Sequence, residues 1–500
     1  MKRYNWLILF LIVTLALGAC SYQFPEESPP SAGDLGTVNV ESVVAIGDDY
    51  MAGVMDGALY SSGQNNSIPA IIAKQMNQIV PFSFVQPEIC SENGFNFLVG
   101  NEAEIYGRWK YVYEDKTSDF PKRNLTVGEM PGELEVDRKT ISNFSVPELK
   151  IQQVDNPGLS ANPYYLRIAS AAGSSTLLSD LEEVNPTLTM VWIGMNDYLH
   201  YAIKNATNEI KHQNSGSIGN LLTPVDEFTA SFRLFAERLL QYPDNKLAIG
   251  NFISLHSLPY FYIRPYNKLF LTNEQLSSVR AVYREFNQAV AEYNRTVPAE
   301  EQRPFVDFYD NGWNLHPQPM VVIDSLLPDA AYSNGTPLEK YRQLNENELV
   351  LLNLTNEMVE AGYGSAIPLP NEFFLTEMEL SEVEMRTSRF NAMLSELAAM
   401  HPEQIVLVDV AGPVEEIAET GKTDAHGDKL SNNLFYFNGV PVEGGLEMNS
   451  IFSLDGLHFN QRGNAFVANE FIDAINKKFG ARVPKADINR YPGNVYNLSF

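Results

Sequence analysis

Cysteine is scarce in this 500-residue chain, which has only Cys20 and Cys90. Cys20 is assigned below to another use, so no internal disulfide is available to the mature protein. Cys90 has no C-x-x-C context and reads as a buried small apolar residue rather than a nucleophile. Positive charge is also short: 35 Lys and Arg face 62 Asp and Glu, a formal charge of −27. That deficit excludes nucleic acid and anionic lipid headgroups as partners, because both require clustered Lys and Arg. Long apolar runs are nearly absent. The longest, Trp6 to Ala16, is too short for a membrane span.

What is present begins with that run. Lys2 and Arg3 precede it and Leu17-Gly18-Ala19-Cys20 follows, the plan of a secretory signal. Small residues directly before Cys resemble a bacterial lipobox, which implies cleavage before Cys20 and lipid attachment to its sulfur. The mature charge is then −29, since Lys2 and Arg3 leave with residues 1–20. Residues 21–38, rich in Pro, Ser and Glu, read as a flexible tether. The lipid on Cys20 would hold the protein on a membrane of the cell envelope.

The whole chain is 44% hydrophobic, enough for residues 39–500 to build a large core. Val43-Val44-Ala45-Ile46 and Leu188-Thr189-Met190-Val191-Trp192-Ile193 read as buried strands, and each ends in a polar turn. A helix opening at Ser67 with Pro69 in its first turn, a helix over 225–240 and a strand at 246–249 continue an alternating β/α order. This order predicts an α/β fold with a parallel sheet and helices on both faces. Such sheets bind ligands at the carboxyl ends of their strands. Residues of about 80–140 read as a β-rich insertion, and about 310–370 as a second, with a Leu-rich helix near 349–354.

An internal similarity appears at an offset of 104 residues, where Leu271 to Val279 matches Leu375 to Val383 and Phe286-Asn287 matches Phe390-Asn391. Both segments open with a capping box, Thr272 with Gln275 and Thr376 with Glu379, and each is expected to lead to a strand, ending at Val306-Asp307 and at Val408-Asp409. A duplicated unit and two independent amphipathic helices both fit. The last block, Phe452 to Asn460, precedes a helix, and the Pro-containing tail after it reads as an extended arm.

The chemistry-bearing residues are few. Asp455 and His458 are three apart, which on a helical turn brings carboxylate and imidazole into hydrogen-bonding reach and makes His458 a general base. Alone, D-x-x-H arises often by chance. It gains meaning from Gly47-Asp48-Asp49 and Gly194-Met195-Asn196-Asp197, which precede it at two strand ends.

In that order the three blocks resemble the SGNH (GDSL) hydrolase superfamily of esterases and lipases. The surrounding residues, Asp56 to Tyr60, Val191 to Asp197 and Ala468 to Ile472, are similar to a bacterial lipoprotein branch of it. The resemblance runs from about Val43 to Pro492. It implies a three-layer α/β/α flavodoxin-like fold with large insertions, carboxylic ester hydrolysis of acylated glycans or lipids, and no cofactor or metal. His458 would be the base, Asp455 its orienting partner and Asn196 a side-chain donor to the oxyanion.

Two positions depart from the family pattern. Asp49 stands where the serine nucleophile belongs, and Glu148, in Asn143-Phe144-Ser145-Val146-Pro147-Glu148, stands where a glycine would donate to the oxyanion. An ionised Asp49 offers His458 no proton to remove and is expected to pair with it as an imidazolium. Carboxylate attack on an ester would give an anhydride that reverts to reactants. A carboxylate about 4 Å from a developing oxyanion raises its energy by roughly 4 kcal/mol at an intermediate dielectric. Ser61 and Ser62 are the substitutes to consider.

Two functions therefore compete: an ester hydrolase with an altered nucleophile, and a non-catalytic lipoprotein that keeps the cleft to hold an acylated glycan or lipid. A divalent-cation site from Asp49, Glu148, Asp455 and His458 is a lesser alternative. So is an Asp-nucleophile reaction of the dehalogenase kind.

Overall fold

Four short strands form the central sheet: β1 (Val43–Gly47), β2 (Leu188–Trp192), β3 (Lys246–Gly250) and β4 (Ile405–Val408). They lie side by side in that order and all are parallel. The chain is described here by a computed structural model over residues 34–96, 98–99, 105–112, 122–203, 222–309 and 316–497. The expected signal, Cys20 and most of the tether lie outside these residues.

β1 and β2 are buried at every position, as continuous apolar runs covered on both faces require. The one polar side chain in β2, Thr189, donates its hydroxyl to Asn245 Oδ1 at 3.0 Å. A further segment runs along the free edge of β1: Ala45 N–H donates to Ser142 O at 2.8 Å, Phe144 N–H to Ala45 O at 2.8 Å and Val146 N–H to Gly47 O at 3.0 Å. The bridge between Ala45 and Asn143 is parallel. Counted by chain position, the spatial order is then 2-1-3-4-5.

Helices fall where the periodicity places them. α1 (Ile68–Met76) starts after Ser67 with Pro69 in its first turn, and α2 spans Val225–Leu240. Ser67 does not cap with its hydroxyl, which instead accepts from Gln86 Nε2 at 2.9 Å. α3 (Glu377–Met400) packs on α2, and α4 (Gln461–Phe479) packs on α1; α3 and α4 both touch β4. Phe228 of α2 stacks on Phe390 of α3 with ring centroids 3.7 Å apart.

Four asparagines on these and neighbouring helices act as clamps, each bonding both the N–H and the C=O of one residue on an extended segment. Asn391 holds Phe252 (2.8 and 3.0 Å) and Asn287 holds Val306 (3.0 and 2.8 Å). Asn469 holds Ala486 (2.7 and 2.9 Å) and Asn476 holds Val483 (2.8 and 2.9 Å), fixing the C-terminal arm along α4. A side-chain amide matches a peptide group in donor and acceptor, so each clamp satisfies the extended backbone without a further strand.

The two similar segments share their caps and their clamp but not their setting. Both Thr272 and Thr376 form capping boxes. The first copy is broken at Tyr283 into helices Asn273–Val282 and Arg284–Asn294, whereas the second runs unbroken. The second copy leads into β4. The first leads to Val306, which is extended but outside any strand, contrary to expectation, because Asn287 occupies its ladder groups.

The first copy belongs to a separate hydrophobic cluster drawn from Leu269 to Phe374. Where it meets the main core, Leu349–Val350 pairs antiparallel with Phe374–Leu375, so the expected helix near 349–354 is absent. A short apolar run has no period to separate helix from buried strand, and here strand pairing won. The β-rich insertion contains an antiparallel hairpin, Tyr106–Val112 against Lys122–Val127, joined at its edge by Tyr496–Asn497.

Cys90 is exposed, not buried. It sits at φ 54° in a turn whose neighbours are tied inward, Ile89 N–H to Gln64 Oε1 and Ser61 N–H to Ser91 O. Its side chain is thereby left at the surface.

Candidate active site

All three sequence blocks meet at the carboxyl ends of β1 and β2. β1 ends at Gly47, where a Cβ would lie 2.3 Å from Trp192 O, so only glycine allows β1 and β2 to end together. Asp48 then caps the single turn Asp49–Ala52 and ties the two strand ends to each other. Its carboxylate accepts from Tyr50 N–H at 3.3 Å, Gly194 N–H at 3.2 Å and Met195 N–H at 3.1 Å. Burial, with Asp49 beside it, pushes the Asp48 carboxyl well above the usual range despite those three donors.

Gly194 makes the second turn, at φ 128°, with no room for a side chain: a Cβ would lie 2.7 Å from Phe252 and 2.9 Å from Phe228. Gly194→Ala is expected to cost about 2–4 kcal/mol through backbone strain and overpacking. Urea unfolding would measure it, and a loss within about 0.5 kcal/mol, the range of an ordinary surface substitution, would contradict the role assigned to this turn.

Asp49 is only 2% exposed. Its carboxylate is held by a backbone donor and a side-chain donor. Glu148 N–H lies 3.2 Å from both carboxylate oxygens, and Asn196 Nδ2 donates to Oδ2. Glu148 itself has φ 68°, the left-handed region that favours glycine, and Asn143 braces the loop by donating to Met51 O at 3.1 Å and accepting from Ser145 N–H at 3.0 Å. The Glu148 carboxylate meets His200 Nε2 at 3.3 Å. Nothing local in the sequence marks His200 for this contact.

Asp455 and His458 form a pair, with Nδ1 to Oδ2 at 2.8 Å. Their geometry is not a helical turn. Asp455 Oδ1 accepts from Leu457 N–H and His458 N–H, both at 2.8 Å, so the side chain closes its own turn around Gly456 at φ 74°. Ser453 Oγ at 3.0 Å and Gly57 N–H at 2.6 Å complete five donors to one carboxylate.

Gly57 is positioned by Asp56, whose carboxylate accepts from Leu454 N–H at 2.9 Å and Tyr60 Oη at 2.8 Å. Burial raises Asp56 to about 6. Asp197, next to Asn196, is structural: burial raises it to about 6, and it accepts from Thr223 Oγ1 at 2.7 Å and Ile151 N–H at 3.1 Å.

The electrostatics of the pair are lopsided. Burial raises the Asp455 pKa, but the His458 charge and the donors outweigh it and bring it down to about 2. For His458, burial favours the neutral ring; the charge and hydrogen bond of Asp455, helped by Asp49 and Asp48, outweigh it and raise the pKa to about 9. The shift favours the imidazolium, which has no lone pair to accept a proton.

Tyr50 packs on the imidazole at 5.2 Å between centroids and anchors the loop by donating to Leu457 O at 2.9 Å. Among the described residues no hydrogen bond or ion pair joins Asp49 to His458. The expected direct salt bridge is replaced by a through-space one, because Asp49 is drawn to Asn196 and Glu148 instead.

The Ser62 hydroxyl accepts from Gln461 Nε2, at the start of α4, at 2.6 Å. Among the described residues no group of three or more His, Cys, Asp or Glu is arranged to hold a metal ion. Nor is any helix of the described residues long and apolar enough to cross a membrane. Compared with known protein families and with curated proteins, the chain matches none.

Proposed function

We propose that the chain is a lipoprotein of the SGNH hydrolase type whose ester-cleaving centre is silent and whose cleft binds an acylated glycan or lipid. The observation that carries this reading is the Asp49 carboxylate, held by Glu148 N–H and Asn196 Nδ2. Those two donors correspond, by the resemblance, to ones that would otherwise meet the oxyanion of a substrate.

The strand order 2-1-3-4-5 supports a flavodoxin-like three-layer fold, whose ligand site lies where that order reverses, beside β1. The left-handed backbone of Glu148 supports its equivalence to the family's glycine. The raised pKa of His458 supports silence, since an imidazolium cannot act as the base of a triad. Lipid at Cys20 would place the protein on a membrane of the cell envelope.

The test compares native protein with His458→Ala on a short-chain p-nitrophenyl ester. Equal release of p-nitrophenol is expected. Turnover that disappears in the variant would replace this reading with an active hydrolase.

A further inference from the structure

Glu148 sits in a tight turn whose type its sequence only half fits. Leu149 N–H donates to Val146 O at 3.2 Å, which closes Val146-Pro147-Glu148-Leu149 as a four-residue β-turn. Proline at the second position fixes its φ at about −65°, and Glu148 at the third has φ 68°, so the turn is of type II. Type II calls for glycine at that third position, whereas type I takes glutamate there and proline before it. The two types share the closing hydrogen bond and differ in the direction of the central peptide group, here Pro147 C=O with Glu148 N–H.

Both ends of that peptide group are held. Pro147 O accepts from Asn162 Nδ2 at 2.8 Å, and Glu148 N–H meets the two Asp49 carboxylate oxygens at 3.2 Å. A change to type I would turn the group over and withdraw both contacts.

The Glu148 side chain is held as well. Its Oε2 lies 3.3 Å from His200 Nε2, with the two side chains only 16% and 8% exposed. His200 stands one helical turn after Asn196 on the helix Asn196–Ala202, so one face of this helix carries both Asn196, which donates to Asp49, and His200, which meets Glu148. The same helix grips the chain just beyond the turn: Asn196 Nδ2 donates to Leu149 O at 3.4 Å, and Asp197 Oδ2 accepts from Ile151 N–H at 3.1 Å. An imidazole with a proton on Nε2 donates to a carboxylate whether the ring is neutral or charged, so the contact requires no particular charge on His200.

We propose that His200 is a positioning residue that keeps Glu148 in the left-handed turn and thereby keeps the Pro147–Glu148 peptide facing Asp49. A Cβ makes the left-handed backbone costly, and the buried contact that the Glu148 side chain reaches from that backbone offsets the cost. Glycine at 148 would need no such partner. The proposal deepens the function given above by naming what holds one of the two Asp49 donors. It rests on that function only for the meaning of the donor as one that an oxyanion would otherwise meet.

Hydrogen exchange of the full chain, read at single amides by mass spectrometry with electron-transfer fragmentation, tests this. In His200→Ala the Glu148 amide is expected to exchange about tenfold faster or more, while Leu149, bonded to Val146 O in either turn type, changes by less than about twofold. His200→Gln retains a side-chain N–H donor and should restore most of the protection. His200→Ala combined with Glu148→Gly should leave the amide of residue 148 as protected as Glu148→Gly alone does, because glycine holds φ 68° without a partner. Where alanine at 200 prevents folding, His200→Leu fills the space without a donor and is read in the same way. Unchanged exchange at Glu148, equal acceleration in the Ala and Gln variants, or acceleration of Glu148 and Leu149 together that persists with glycine at 148 overturns the proposal and makes His200 a packing residue. No ester enters this measurement, so a failure here is distinct from a failure of the silent-centre reading.

Discussion

Exchanging Asp49 for Ser together with Glu148 for Gly is expected to raise ester turnover about a thousandfold above the native protein. Loss of the nucleophile from a serine triad costs on the order of a millionfold, and an unrefined geometry keeps back part of the gain. Three effects combine in the double variant. Serine supplies a hydroxyl where the carboxylate stood, and its removal frees Asn196 Nδ2 and the N–H of residue 148 for an oxyanion. It also removes one of the negative charges that raise His458, so the imidazole pKa moves down and a larger share of neutral base is available at a given pH. Glycine at 148 accepts φ 68° without strain and removes a carboxylate from the neighbourhood.

Glu148→Gly alone should stay silent, because Asp49 still holds the donors. His458→Ala in the double variant should return turnover to the native level. Stopped assays on p-nitrophenyl acetate measure all four proteins. A double variant no faster than native, but folded by circular dichroism, would show that the donors are not placed for an oxyanion.

How much of this centre could be read from the sequence depends on the range of each interaction. Gly47, Asp49, Asn196, Asp455 and His458 all occupy one site, because each sits at a strand end or in a turn whose local pattern marks it, and a parallel sheet gathers such ends together. What Asp49 does there was not legible. Its choice between His458 and the Asn196–Glu148 donors is decided by contacts spanning 147 and 99 residues of chain. Chemistry alone favoured the charged partner, and the fold brought the neutral donors closer.

The Asp455 turn shows the same limit at short range. Spacing of three suits a helix, but Asp with Gly following favours a side-chain-closed turn, and that was the stronger signal. The asparagine clamps carry a faint signature, a polar residue on an otherwise apolar helix face such as Asn391 after Phe390. Their targets lie up to 139 residues away and cannot be named from the helix. The second hydrophobic cluster was hidden for a related reason: its strands are two or three residues long, below the length at which alternation can be recognised.

Asp455→Asn is expected to destabilise the protein by about 3–5 kcal/mol at pH 6, because removing one member of a buried charged pair leaves the other uncompensated. The pH dependence of that loss carries the sharper prediction. His458 is raised from 6.5 to about 9 on folding, so its contribution is complete below about 6.5 and disappears as pH rises through 9. Asp455 is lowered from 3.8 to about 2, so its contribution is present above about 3.8 and disappears as pH falls through 2. Both shifts describe one interaction, which is therefore at full strength only between about pH 4 and 6.5.

Urea unfolding of native and Asp455→Asn proteins at pH 6 and pH 10 should show the gap between them shrinking by about 2–3 kcal/mol at the higher pH, while tyrosines and lysines common to both cancel. A gap that stays constant across this range would mean that His458 is neutral at pH 7. The imidazole would then be free to act as a base, and the silence of the centre would rest on Asp49 alone.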